Sequence, residues 1–209
     1  MRILDDEETH AILRSHGLDR PTGIGFAFRY AARNVLYDWH AHPYHQLIYA
    51  AAGPAQIETE QGRQILPQGR AAWIPAGTRH RSLVSDDHGA SLYFSPDSVT
   101  DTSSHVSFLV ANPLMREMIL YATRWERGAS ETDPLADSFL RVLARLCGEW
   151  LEQELKLFLP STTHPSLRRA MDYALADLAG ATQSGAIDHA ALSERSFRRL
   201  FMRETGLTW

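Results

Sequence analysis

Three histidines fall within six residues, at His40, His42 and His45. Side chains two apart on a β-strand project from the same face, so His40 and His42 can offer their imidazoles to one metal ion. His45 has the opposite parity and is expected to serve the structure around them. Gln46, four residues after His42, lies near the start of the next strand and adds a carbonyl oxygen. A further imidazole, His80, follows Pro75-Ala76-Gly77, whose Pro and Gly are expected to turn the chain back toward the same mouth. Three imidazoles and one oxygen suit a borderline divalent ion, and softness and geometry do not choose among Zn, Ni, Fe, Mn and Cu. The same groups could instead hydrogen-bond a small molecule or pack together. His10, His16, His88, His105, His164 and His189 share no such spacing.

A second pattern with chemistry in it runs from Leu192 to Leu207: Leu-Ser-Glu-Arg-Ser-Phe-Arg-Arg-Leu-Phe-Met-Arg-Glu-Thr-Gly-Leu. Ser193 suits a helix N-cap, Glu194 suits the positive end of the helix dipole, and Gly206 follows the last turn. Phe197, Leu200 and Phe201 share one side, while Arg195, Ser196, Arg198, Arg199 and Arg203 fill the others. A short helix with an apolar heel and Arg within reach of phosphates and guanine edges is what a major-groove reader requires. A solvated Arg-rich face is the plainer alternative.

The elements that must carry these residues divide the chain. From Pro21 to Phe94, short apolar or alternating runs (Ile24–Tyr30, Gln46–Ala51, Gln56–Thr59, Ala71–Ile74, Ser91–Phe94) are separated by Gly, Pro and Asp, which suggests an antiparallel sandwich or barrel. The polar run after Phe94 reads as a linker. Asn112-Pro113 then opens a helix expected to run toward Gly128, with Leu114, Met118, Ala122 and Trp125 on its apolar side. Pro134 opens a longer one to about Leu159. Its stripe of Phe139, Leu143, Leu146, Trp150 and Leu157 is widened by Leu140, Cys147, Leu151, Leu155 and Phe158, more than one neighbour would cover. A homodimer is therefore expected. A helix from Pro165 to Gly180 and a last one from Ser193 to Thr205 complete the pattern.

Net charge is −4 over 209 residues, which excludes a uniformly basic nucleic-acid coat. The balance is uneven: residues 1–160 sum to −5 and residues 161–209 to +1. Cys147 is the single cysteine, so no internal disulfide framework exists, and Met1 precedes an acidic Asp5–Glu8 run rather than a cleavable signal. No apolar stretch approaches the ~20 residues of a membrane helix. A cytoplasmic protein with no membrane partner is expected.

His40-Ala41-His42, then Gln46 and Gly53, resembles the first cupin motif; Gly69, Pro75-Ala76-Gly77, His80 and Val84 keep the spacing of the second. Gln46 stands where the motif has an acidic ligand, and Val84 where it has Asn. The resemblance implies a double-stranded β-helix barrel with His40, His42 and His80 as metal-ligand positions. The Ser193–Leu207 stretch looks very like the recognition helix of the first helix-turn-helix in AraC-type transcriptional regulators, and Pro165–Gly180 looks like the helix that opens that domain. By that resemblance Arg195 and Arg199 read bases, Ser196 and Arg198 lie nearby, and Ser193 and Arg203 hold phosphates.

The expected architecture is α+β: an N-terminal arm (1–20), a cupin sensor barrel (21–105), a helical dimerisation layer (106–160) and a partial helix-turn-helix unit (161–209). Its expected partners are double-stranded DNA, a small-molecule effector and a second copy of the chain. The rival is a metal-dependent cupin enzyme of dioxygenase or isomerase type, which lacks an acidic general base beside the motifs and would leave the Arg-bearing helix unexplained. Two departures from the AraC pattern stand out. Ile187–Leu192, between Gly185 and Ser193, is about four residues short of a positioning helix plus turn, so residues are expected to be missing there. Trp209 falls where a connecting helix to a second helix-turn-helix should begin.

Overall fold

The apolar runs between Gly and Pro turns form strands, and the strands pair into two sheets. The computed structural model describes residues 2–29, 35–60, 62–84, 89–100, 105–152, 162, 164–176, 180–205 and 208–209. The chain divides into two compact units, residues 1–157 and 158–209.

The first unit holds β1 (Arg2–Ile3), α1 (Asp6–Ser15), β2 (Gly25–Arg29), β3 (Val35–Leu36), β4 (His45–Tyr49), β5 (Ala55–Thr59), β6 (Gly62–Leu66), β7 (Arg70–Ile74), β8 (His80–Val84), β9 (Ala90–Phe94), β10 (Ser107–Val110), α2 (Pro113–Ala122), α3 (Ala129–Thr132) and α4 (Pro134–Leu151). One five-stranded sheet has the order β1-β3-β8-β5-β6, the other β10-β7-β4-β9-β2. Every pairing is antiparallel except β1 with β3. The fold is α+β and cupin-like, in two sheets rather than the closed barrel expected.

Strand β4 explains the layering, because both of its faces are buried. Leu47 and Tyr49 join Trp73, Leu92 and Phe94 in a core completed by Met115, Ile119 and Ala122 of α2 and by Leu140, Leu143, Ala144 and Cys147 of α4. Ile48, of opposite parity, joins Ile57, Leu66, Ala72, Ile74 and Phe108 in a second core. Gln46 has the parity of Ile48 and is buried. Alternation within one strand thus separates the helix-covered face from the face that carries the polar site.

Several expectations need correction. Ser107–Val110, expected to begin the helical region, is an edge strand on β7. Residues 1–20 contain a strand paired with β3 and a helix with a capping box between Asp5 and Glu8. Asn112 and Pro113 do start α2, with the Asn112 side chain accepting from Met115 N–H. The buried row of α2 is Met115, Ile119 and Ala122, however, and Leu114 is 57% exposed. The helix ends at Ala122, and Trp125 enters the core from the following turn, its indole N–H donating to Asp133. Of the long stripe, Leu155, Leu157 and Phe158 lie outside the described residues, as does Leu178 of the next helix.

The second unit holds α5 (Pro165–Ala176), α6 (Gln183–Ala190) and α7 (Glu194–Thr205) around Leu167, Ala170, Ala186, Ala190, Phe197 and Phe201. No residues are missing before Ser193. Thr182 caps α6 by accepting from Gly185 N–H, so Gly185 lies inside an eight-residue helix, and Ala191 closes it in the left-handed region at φ 54°. The turn Ala191-Leu192-Ser193 then leads into α7. Arg169 of α5 donates to the carbonyls of His189 and Ala190, tying α5 to the end of α6.

Gly185 is required by close packing: a Cβ there would run into the Tyr173 phenol. We expect Gly185→Ala to destabilise this unit by roughly 1–3 kcal/mol, with part of the loss recovered when Tyr173→Ala is added. Urea midpoints followed by circular dichroism check this; a single variant that unfolds at the wild-type midpoint contradicts it.

Candidate functional site

His40 and His80 form an isolated antiparallel bridge, each backbone N–H donating to the other's carbonyl at 2.9 Å. The turn before His80 carries Gly77 at φ 77°, and its N–H donates to the carbonyl of His42. These bonds bring His40, His42 and His80 together, with one potential ligand atom of each within 4.8 Å of the others. All three side chains are buried.

The ring orientations are set locally. Each Nδ1 lies at hydrogen-bond distance from a carbonyl two residues away: His40 to Asp38 at 2.7 Å, His42 to Tyr44 at 3.0 Å, His80 to Thr78 at 2.9 Å. Carbonyls only accept, so each Nδ1 carries the proton and each Nε2 keeps its lone pair. This is the tautomer a metal ligand needs. The Nε2 of His80 is buried with no hydrogen-bond partner. Burial depresses the basicity of all three rings, most clearly at His42, where it acts with the nearby His40 to bring the pKa to about 4, and His80 lies well below the ordinary histidine value for the same reasons. Protons therefore do not compete for these nitrogens near neutral pH.

Gln46 sits where its parity places it. Its Oε1 is 3.1 Å from His42 Nε2, and its amide nitrogen donates to Ser91 Oγ and Tyr93 OH. A carbonyl oxygen facing a lone-pair nitrogen is satisfied either by a cation between them or by rotation of the amide. The His80 Nε2 lone pair has no donor among the described residues. The donor set, three neutral imidazoles and an amide oxygen, fits a borderline divalent ion.

His45 points the other way: its ring stacks on Trp73 at 5.1 Å, and its Nδ1 accepts from Ala76 N–H. It braces the turn that delivers His80. Sequence reasoning passed over Ser91 and Tyr93, although they are alternate polar residues in the otherwise apolar β9 and Tyr93 pairs in register with Gln46. It also passed over α1. Ile12 and Leu13 of α1, Leu18 and Tyr37 line a narrow, partly open space of about 30 Å³ that reaches His40, Gln46, Ser82 and Tyr93.

In the second unit, Ser193 caps α7, its Oγ accepting from Ser196 N–H and donating to Ser196 Oγ. Arg198 pairs with Glu194 at 2.6 Å and Arg203 with Glu204 at 2.9 Å. Arg195 and Arg199, one turn apart, make no ion pair among the described residues. They line an open groove with Gln183, Met202 and Trp209. Ser193, Ser196 and Arg203 are thus engaged within the helix and Arg198 with Glu194 and with Gln183 of α6.

A two-sheet fold that holds histidines from adjoining segments inside it defines the class as a cupin-like sensor-type domain joined to a small helical unit. The description "AraC-like ligand binding domain" matches residues 24–158, and the chain belongs to that family. It is 28% identical over 174 residues to the HTH-type transcriptional regulator NimR of Escherichia coli strain K12, covering 81% of this chain and 62% of that protein. The chain therefore spans less than two thirds of that relative's length. Among solved structures, a variant of apo ToxT from Vibrio cholerae is 6% identical, with a TM-score of 0.43 and coverage of 91% of this chain and 78% of ToxT. The AraC-like transcriptional activator CuxR is 14% identical, with a TM-score of 0.41 and coverage of 76% and 60%.

The depressed histidine basicity fixes a pH dependence. An unfolded chain takes up protons on these rings below about pH 6.5, whereas folded His42 resists until about pH 4, so stability is lost as pH falls through that window. His40 and His80 act in the same direction. We expect metal-free protein to lose about 2 kcal/mol through His42 between pH 6.5 and 5, with His40 and His80 adding in the same direction, measured by denaturant unfolding; a flat profile would show that the rings are hydrated.

Proposed function

We propose that this chain is a metal- or ligand-responsive transcription factor of the AraC type, sensing with residues 24–158 and reading DNA with α7. The observation that carries the reading is the union, in one chain, of a matched AraC-like ligand-binding domain with a helix that holds Arg195 and Arg199 clear of internal ion pairs. A guanidinium without a partner can make the bidentate bond to guanine that specifies sequence. The role is sensing rather than catalysis, in a cytoplasmic protein.

His40, His42 and His80 would hold the ion, with Gln46 beside His42. The unpartnered Nε2 of His80 supports this most directly, because a buried nitrogen lone pair is costly to leave unmatched. A bound divalent cation supplies positive charge and locks the bridge between β8 and the segment before β4. A second copy of the chain is the proposed partner of the outward side of α2 and α4, where Leu114, Tyr121, Leu135 and Val142 are exposed. Effector binding switches the protein only if one arrangement of the DNA-reading units binds it better than another.

Two measurements test the reading. In DNA selected by the full chain, Arg199→Ala should weaken specific binding about tenfold or more while leaving non-specific binding nearly unchanged; failure of the wild type to retain any specific site at low salt would overturn DNA reading. Protein purified without an affinity tag should carry close to one metal ion per chain, and His80→Ala should lose it. Sub-stoichiometric metal that persists after supplementation would remove the ion from the account.

A further inference from the structure

Among the described residues, the one carboxylate that acts on the three-histidine cluster is that of Asp38, beside His40. The imidazoles are neutral and Gln46 is an amide, and the residues that line the adjoining space include neither Asp nor Glu. Asp38 gives its carbonyl to His40, while its carboxylate accepts from Trp39 N–H. Glu58, on the neighbouring strand, is held by Arg81 and Arg63. The guanidiniums of Arg79 and Arg81, on either side of His80 in sequence, lie 4.9 and 5.3 Å from the Trp39 ring centre, and Arg81 is itself paired with Glu58.

With three neutral imidazoles and an amide as its donors, a divalent ion on this cluster would keep most of its double charge in a buried setting, and uncompensated buried charge is strongly unfavourable. An anion arriving with the ion removes much of that cost. The narrow space limits its size, since about 30 Å³ accommodates roughly two water-sized groups. Hydroxyls are at hand to hydrogen-bond an anion: Ser82 and Tyr93 line the space, and so does Tyr37, whose phenol is kept protonated by burial.

We propose that the cluster binds its metal ion together with a small monoanion, of the size of a halide, azide or formate, so that a small anion is the ligand this domain senses. The inference rests on the metal reading of His40, His42 and His80. Gln46 is the determinant, because a carboxylate at that position would itself neutralise part of the ion's charge and leave less for an external anion.

Cobalt(II) is the probe, since its visible absorption reports changes in its ligands. The full chain loaded with cobalt(II) is titrated with sodium chloride, azide, formate and benzoate at constant ionic strength and pH. Azide and formate are expected to change the spectrum with saturation in the millimolar range or tighter, and benzoate, too large for the space, to leave it unaltered. Gln46→Glu is expected to retain cobalt and lose azide affinity by roughly tenfold or more. Stoichiometric cobalt whose spectrum ignores every anion overturns the inference and leaves the metal reading intact. An equal response to benzoate overturns the size limit. Absence of cobalt uptake by the wild type removes the metal reading and the inference together.

Discussion

Two reciprocal backbone hydrogen bonds between His40 and His80 hold the candidate centre together. They join residues forty apart in the chain and prolong, as an isolated bridge, the antiparallel pairing of β3 with β8. The second sheet gives the bridge its footing: β4 starts a few residues beyond His42 and is buried on both faces. The turn before β8 is tied to His42 through Gly77 and to His45 through Ala76. A change in either turn therefore reaches the imidazoles through two or three bonds, whereas a change in the outer helices reaches them only through the packing of the sheet.

Local chemistry was legible in the sequence. The spacing of His40, His42 and His80 and the turn before His80 pointed to a shared site, and the structure gathers the three rings there. His45 does point away from His40 and His42 as expected, although His42 lies in the irregular segment before β4 and His40 in an isolated bridge, so the turn and not strand alternation brings that pair together. The Asn112-Pro113 start of α2 could also be read, because an N-cap is a contact between residues three apart. Which face of α2 is buried could not, since Leu114, Met118 and Tyr121 make a second apolar row and only the sheet decides between the two. The edge strand Ser107–Val110 was missed because strand pairing with β7 overrides a short sequence that carries no turn of its own.

The reading of the second unit erred for a different reason. An isolated glycine such as Gly185 in a weak helical pattern reads as a break. Its role is steric: the missing side chain admits Tyr173, whose ring also stacks on His189 at 4.2 Å. Once Thr182 is recognised as the cap, α6, the turn and α7 have the lengths that a positioning helix and a reading helix require. The Arg residues of α7 could be named from sequence. Which of them were available could not, because that depended on Glu194 and Glu204 each choosing a partner.

The bonds that orient the histidine rings have a kinetic consequence. Each ring is pinned by a carbonyl two residues away, and the space beside them is walled by α1, which is itself anchored by the Asp5–Glu8 capping box and by Thr9 accepting from Asp38 N–H. Rotamer changes of surface side chains take picoseconds to nanoseconds, but displacing a packed helix is a local unfolding event of microseconds to seconds. A ligand whose entry required α1 to move would exchange on the slower clock. The domain would then respond to the recent history of its surroundings, averaging over brief fluctuations in concentration rather than following them.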